Sequence, residues 1–372
     1  MKLHIISAAL PPQLDGIGDY TAQLAAELAR TTDVTILMGA PTPDPIPGVR
    51  VETVFDAHAP RSVWNLVDRV VQDKPDWVLL QYNPFSYGRW GLNLHLPEVL
   101  HKLRKQQVKV AVMAHETFTP ATNWQSAVMT IWQRWQFWRI RQSANILLFS
   151  TDTYAARFRV EPPQTPIIHL PVGSNISYQH FSKADARAKL KIADDTLVFG
   201  LFGTMHISRM MDRVKDAVNI AKQSTEKILV IYIGPHGSAV STALNGIPLL
   251  IAGVLDDQEI SRHFAAMDIY LTPFSDGIST RRTTVMCGLQ HGVALVGTQG
   301  YNTDMMLQNE NGQSFLLANA SNPREFSENV RLLVQEDEKR HAIAQNGRQF
   351  FLEHFTWARI GEQLKEVLNQ HG

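Results

Sequence analysis

The chain has 372 residues, 44% of them hydrophobic and 19% charged, which is more than one ordinary core holds and ordinary enough to be globular throughout. Its 35 Lys and Arg balance 35 Asp and Glu, so no global basic field points to nucleic acid and any attraction to an anion must be local. A lone cysteine, Cys287, excludes a disulfide framework and a cysteine-rich zinc site and fits a reducing, cytoplasmic compartment.

The first ten residues form too short an apolar run for a signal peptide and read as a buried first strand. No run approaches the roughly 20 residues needed to cross a bilayer. Apolar runs at residues 3–8, 34–37, 77–81, 108–114 and 146–150 alternate with helical periodicity, as at 20–30 and 96–105. This alternation predicts an α/β fold with a parallel sheet covered on both faces.

The loop after the first strand, Leu10-Pro-Pro-Gln-Leu-Asp-Gly16-Ile17-Gly18, leads into a helix expected from near Thr21. Two glycines before a helix let a ligand approach the backbone and leave N–H groups for an anion, although a long plain loop reads the same way. Thr21 occupies the third glycine position of a dinucleotide fingerprint and the second strand ends without an acid, which disfavours NAD.

Further on, Gln81-Tyr-Asn83 ends one strand and is expected to shape an acceptor pocket. Met113-Ala-His115-Glu116 ends the next, where open α/β sheets place ligands. His115 is the candidate there, with an ordinary structural histidine as the alternative.

Residues 124–141 carry Trp124, Trp132, Trp135, Phe137 and Trp138 with Arg134, Arg139 and Arg141, and no acid occurs between Glu116 and Asp152. Such a helix suits a lipid headgroup interface, helped by Lys102, Arg104 and Lys105. Tryptophans buried in the core are the plainer reading, and the preferred one.

A proline-rich run, Glu161-Pro-Pro-Gln-Thr-Pro166, then a strand-like stretch and Pro171-Val-Gly-Ser-Asn175, predict a linker with its hinge near Gly173. The strand grammar restarts at 197–202 and continues at 228–233, 249–251, 269–271 and 293–296. The predicted domains are 1–172, 173–354 and a final helix in 355–372 packing back on the first.

In the second domain, Phe202-Gly203-Thr204 leads to Arg209 and Arg213, a strand, glycine loop and basic entry suited to phosphate oxygens or to a plain exposed basic face. The stretch Thr272-Pro-Phe-Ser-Asp276-Gly277-Ile278-Ser279-Thr280-Arg281-Arg282 ends a strand and puts two arginines in the first turn of a helix. The helix dipole favours acids there, so the arginines call for an anion, a diphosphate being natural, unless they form an ordinary salt bridge.

Taken together, in this order and spacing, these segments resemble the retaining GT-B glycosyltransferases of the family-4-like branch across nearly the whole chain. The resemblance implies two Rossmann-like domains facing a cleft. In it, Gly16, Ile17 and Gly18 match the glycine loop facing the donor diphosphate, and His115 matches the histidine near the donor sugar. Arg209 stands where a basic residue contacts the phosphates. The usual pair of glutamates with seven residues between is missing: Asp276 is the only acid between Ser275 and Gln290. The stretch looks instead like a variant with Gly-x-Ser-x-Arg-Arg.

The resemblance implies transfer of a sugar from a nucleoside diphosphate to a saccharide or lipid-linked acceptor in glycan biosynthesis. His115, Arg209, Arg281 and Arg282 become the catalytic candidates. Gly203, Thr204, Gly277, Ile278, Ser279 and Thr280 become donor contacts, and Asn83 and Glu116 acceptor contacts. No Asp-x-Asp motif is evident, so neither metal nor cofactor is expected. The expected location is the cytoplasm, at most on the membrane's inner face. A nucleotide-sugar epimerase on the same fold and a non-catalytic two-lobed binding protein are the rivals.

Overall fold

The structure, a computed structural model, describes residues 1–13, 15–39, 43–56, 59–119, 121, 123–159 and 165–372. Leu14 of the first loop and residues 161–164 of the predicted linker lie outside the described residues. The chain divides into two compact units, residues 1–171 with 357–372, and residues 172–356.

The first unit alternates β1 (Lys2–Ser7), α1 (Gly16–Leu28), β2 (Asp33–Gly39), β3 (Arg50–Phe55), α2 (Asn65–Asp73), β4 (Trp77–Tyr82) and α3 (His95–Lys105). It continues with β5 (Lys109–Ala114), α4 (Trp124–Ser143), β6 (Ile146–Phe149), α5 (Asp152–Phe158) and β7 (Ile167–His169). Its strands form one parallel sheet in the order β3-β2-β1-β4-β5-β6-β7.

The second unit runs α6 (Lys183–Leu190), β8 (Leu197–Phe202), α7 (Met211–Ala221), β9 (Ile228–Ile233), α8 (Gly237–Ala243), β10 (Leu249–Gly253), α9 (Asp257–Ala266) and β11 (Ile269–Thr272). Then come α10 (Thr283–Gln290), β12 (Ala294–Gln299), α11 (Met305–Asn309), β13 (Leu316–Asn319), α12 (Pro323–Gln335) and α13 (Asp337–His354). The second sheet is also parallel, ordered β10-β9-β8-β11-β12-β13.

The two sheets establish the predicted α/β class. Central strands are buried on both faces and mostly apolar: all six residues of β4, Trp-Val-Leu-Leu-Gln-Tyr, are buried. Periodicity does not flag β3 or β13. The first is an edge strand whose Glu52 is held outside the core by Arg69 at 2.5 Å, and the second is only four residues long.

The last helix, α14 (Trp357–Gln370), belongs to the first unit, where it packs on α1. Its buried Ile360, Gly361, Leu364, Val367 and Leu368 make one helical face. Gly361 brings the two helices close, since a Cβ there would stand 3.3 Å from Glu27 Cγ. Gln363 donates to the His169 carbonyl at 3.0 Å.

In each sheet the strand order reverses once, between β1 and β4 and between β8 and β11. Ligands of open α/β sheets bind outside the C-terminal ends of the strands at such a reversal.

Candidate functional site: an arginine cluster at a strand-order reversal

In the second unit the loops after β8 and β11 are knitted together. Ser275 N donates to the Ser208 carbonyl at 2.7 Å, Met210 N to that of Pro273 at 3.0 Å, and Arg209 and Phe274 form an antiparallel bridge. Arg209 therefore lies before α7, not on the entering helix. The bridge to Phe274 keeps it outside the helix, which starts at Met211.

The Phe274 ring is shared by two guanidinium groups, with Arg282 3.8 Å and Arg209 5.0 Å from its centroid. Arg282 donates to Asp276 Oδ1 at 2.6 Å, to Ser208 Oγ at 3.1 Å and to the Gly277 carbonyl at 3.3 Å. Arg281 approaches the other Asp276 oxygen at 4.0 Å.

Both arginines precede α10 instead of occupying its first turn. Arg282 is the N-cap residue, and its carbonyl accepts from Val285 and Met286. Burial of Asp276 would raise its pKa, but Arg282, with help from Asn302 and Ser208, holds its carboxyl below the ordinary value.

Arg209 is different. It is 7% exposed, and one Nη donates to the Phe202 carbonyl at 2.7 Å, while Nε and the other Nη have no hydrogen-bond partner among the described residues. No carboxylate among the described residues balances it, and burial pushes its pKa down. A buried guanidinium with two unmet donors is costly unless something accepts from it.

The Gly277–Thr280 turn supports this cluster from behind. Gly277 has φ +84°, and a Cβ there would fall 2.2 Å from Thr303 Oγ1 and 2.3 Å from Gly300 N, so only glycine fits. Ile278, Ser279 and Thr280 are fully buried. Thr280 donates through its amide and hydroxyl to Asp304 at 2.7 and 2.9 Å. Gly203 and Thr204 begin the β8 loop, with the Gly203 carbonyl accepting from Tyr232 at 2.9 Å.

The first unit holds a second group. His115 follows β5, and its Nε2 meets Gln81 Oε1 of the neighbouring β4 at 2.8 Å. The Tyr20 ring stands edge-on to the imidazole at 5.0 Å and to Trp357 at 5.4 Å. Desolvation lowers the His115 pKa to about 3, so the ring is neutral at physiological pH. Tyr20 Oη and Gln81 Nε2 are buried without partners among the described residues. Asn83 Oδ1 caps a short turn by accepting from Phe85 N at 3.0 Å, and Glu116 is exposed.

The glycine loop departs from its expected form. α1 starts at Gly16, and Asp15 Oδ1 already accepts from the amides of Ile17 and Gly18 at 2.8 and 2.7 Å. An outside anion would have to displace that carboxylate. Gly18 answers a packing need, since a Cβ would come 3.0 Å from the Ala9 carbonyl oxygen.

Sequence reasoning found the arginines, but it did not single out Phe274, Ser208, Asn302, Asp304 or Tyr20. The available signal was positional: Asp304 heads the helix after β12, and loops at the same end of adjacent parallel strands converge.

Two parallel Rossmann-like sheets with this reversal in each define the GT-B fold. Solved structures share it along their whole length. Sucrose-phosphate synthase from Thermosynechococcus elongatus matches 99% of this chain and 98% of its own at 15% identity and TM-score 0.73. HepE of Anabaena, solved in complex with UDP-glucose, matches all of both chains at 16% identity and TM-score 0.71. WaaG, a glycosyltransferase involved in lipopolysaccharide biosynthesis, matches 98% of this chain and 99% of its own at 13% identity and TM-score 0.68. No family model matches the chain, and no curated protein matches it in sequence.

Proposed function

We propose that this protein is a retaining glycosyltransferase that takes its sugar from a nucleoside diphosphate, with the diphosphate accepted by Arg209, Arg281 and Arg282. The observation that carries the reading is the buried Arg209 guanidinium with two unmet donors beside a second arginine, at the strand-order reversal of the second sheet. Arg282 is paired with Asp276 at 2.6 Å, whereas Arg209 has no carboxylate partner among the described residues and so leaves positive charge for an anion.

In such a transfer the sugar's C–O bond breaks and its electron pair settles on the β-phosphate. Fixed cations aimed at that oxygen stabilise the transition state more than the ground state. The arginines supply this charge in place of a metal ion. Neutral His115 offers a hydrogen bond to a sugar hydroxyl. The acceptor is a saccharide or a lipid-linked sugar. Neither epimerase chemistry, which needs an acid and a base facing the sugar, nor simple solute binding explains a buried uncompensated arginine as directly.

The test is a thermal-shift panel of UDP, GDP, ADP, TDP and their sugar conjugates, UDP first because HepE is known in complex with UDP-glucose. One diphosphate should raise the melting temperature. Arg281→Ala and Arg209→Met should stay folded and weaken that ligand by about tenfold or more, and sugar transfer should persist in EDTA. An unchanged affinity in both variants would move the phosphate site elsewhere.

A further inference from the structure

Helix α4 is amphipathic the wrong way round. Its buried face is Ser126, Thr130, Gln133, Gln136, Ile140 and Ser143, mostly polar, with Phe137 at its side. Its outward stripe is Trp124, Val128, Ile131, Trp135 and Trp138, all exposed, Trp124 by 75% and Ile131 by 71%. The spacing of four, three, four and three residues makes one continuous ridge along the helix.

The buried polar groups are answered from within. Gln133 accepts from Thr119 N at 2.7 Å and donates to the Trp90 carbonyl at 3.2 Å. Gln136 accepts from Asn93 N at 2.7 Å and donates to Tyr82 Oη at 3.0 Å. These bonds staple the turn at Trp90 to α4. There Trp90 adopts a left-handed backbone, φ 59°, with its ring 61% exposed. Of the tryptophans expected in the core, Trp124, Trp135 and Trp138 are on the surface and Trp132 is half-buried, donating to the Trp90 carbonyl at 3.2 Å, because the inner face is used to hold this turn.

We infer that this ridge is a docking face for an anionic lipid surface, seated in the headgroup layer with α4 lying on it. The argument for lipid is charge. Arg134, on the ridge between Ile131 and Trp138, is exposed and carries its guanidinium over Phe118 at 4.7 Å. Arg89 is exposed beside Trp90, and Lys102 and Lys105 are exposed on the neighbouring α3, which packs against α4. No acid occurs on α4, and Glu98, on the facing helix, is paired with Arg139 at 2.5 Å. A second copy of the same face would bring like charges together. Exposed indoles flanked by cations suit an interface where one end is apolar and the other wet. Among the described residues no helix is long and apolar enough to cross a membrane, so the contact lies on the bilayer.

This inference stands apart from the sugar-transfer reading, because binding is measured without donor or acceptor. The full chain is sedimented with phosphatidylcholine vesicles containing about a quarter phosphatidylglycerol, and with pure phosphatidylcholine. It should bind the anionic vesicles, more weakly as salt rises, with a blue shift of tryptophan emission. Trp135→Glu combined with Trp138→Glu should keep its melting temperature and lose at least about tenfold in partitioning. Trp90→Gly, which suits the left-handed backbone, should weaken binding without unfolding. Undiminished binding in the double variant overturns the proposal. So does absence of vesicle binding, and so does self-association in sedimentation velocity that the double variant abolishes, which would give the face to a second copy.

Discussion

His115 and His291 are held neutral by desolvation, and that has a measurable cost in acid. His115 falls to about 3 and His291, whose Nδ1 meets the Cys287 carbonyl at 2.8 Å and Nε2 the Ser261 hydroxyl at 2.9 Å, falls to about 4. In the unfolded chain each would titrate near 6.5. The folded state thus binds fewer protons than the unfolded one below that value, so stability is complete above pH 6.5 and declines as pH falls towards the folded pKa. Between pH 6.5 and about 5, before unfolded carboxylates protonate, His115→Asn and His291→Asn should each remove up to about one proton from the uptake on unfolding. Denaturant midpoints measured across that range give the slope, and slopes equal to that of the parent protein would show that neither ring is desolvated.

At the same scale, residue chemistry was legible where it broke a rule. Arginines beside a helix start conflict with the dipole, and that conflict marked Arg281 and Arg282 before any geometry was known. Their partners were not legible. The aromatic ring shared by Arg209 and Arg282 belongs to Phe274, which in sequence reads as one more core residue. Asn302 and Asp304 reach the turn from the next strand's loop, 26 and 24 residues away from their partners Asp276 and Thr280.

Among the elements, α1 separates two glycines that look alike in sequence. Gly16 has nothing within 4 Å of a Cβ, whereas one at Gly18 would press on the backbone of Ala9 and Leu10 at 3.0–3.2 Å. Gly16→Ala should be neutral or stabilise by up to about 1 kcal/mol, and Gly18→Ala should destabilise by about 1–3 kcal/mol. Equilibrium unfolding checks both, and a Gly18→Ala protein as stable as its parent would undo the close-approach account.

Strand positions were readable because β4, β5, β8 and β9 are predominantly apolar runs, whereas α4 was misleading. A helical pattern shows that one face differs from the other; it cannot show which face is inside when a loop some 40 residues earlier supplies hydrogen bonds to the polar side. The start of α1 was placed near Thr21 for a related reason. Two glycines discourage a helix, and Asp15, by capping Ile17 and Gly18, outweighs them.

For the molecule as a whole, stability is divided between the two units, each with its own sheet and buried core. Leu364 of α14 is fully buried in the first unit. Leu364→Ala should cost about 2–5 kcal/mol. Hydrogen exchange should then show weakened protection along β1, β2 and α1 while β8, β9 and β11 keep theirs. Equal loss in both units would mean that they unfold as one.

The parallel sheets and the division into two followed from the alternation of strands and helices. The strand order did not, because loop lengths allow several crossovers, and only the assembled sheets show where the order reverses.

The position of α14 bears on how the protein is made. The first unit is left unfinished at residue 171 and receives its last helix only after 185 further residues, those of 172–356, have emerged. On the ribosome the second unit can complete its sheet while the first waits, with the flank of α1 around Tyr20 and Leu28 still uncovered. The half of the protein synthesised first is therefore the last to mature, and nascent chains stalled before residue 357 would be the species that chaperones meet.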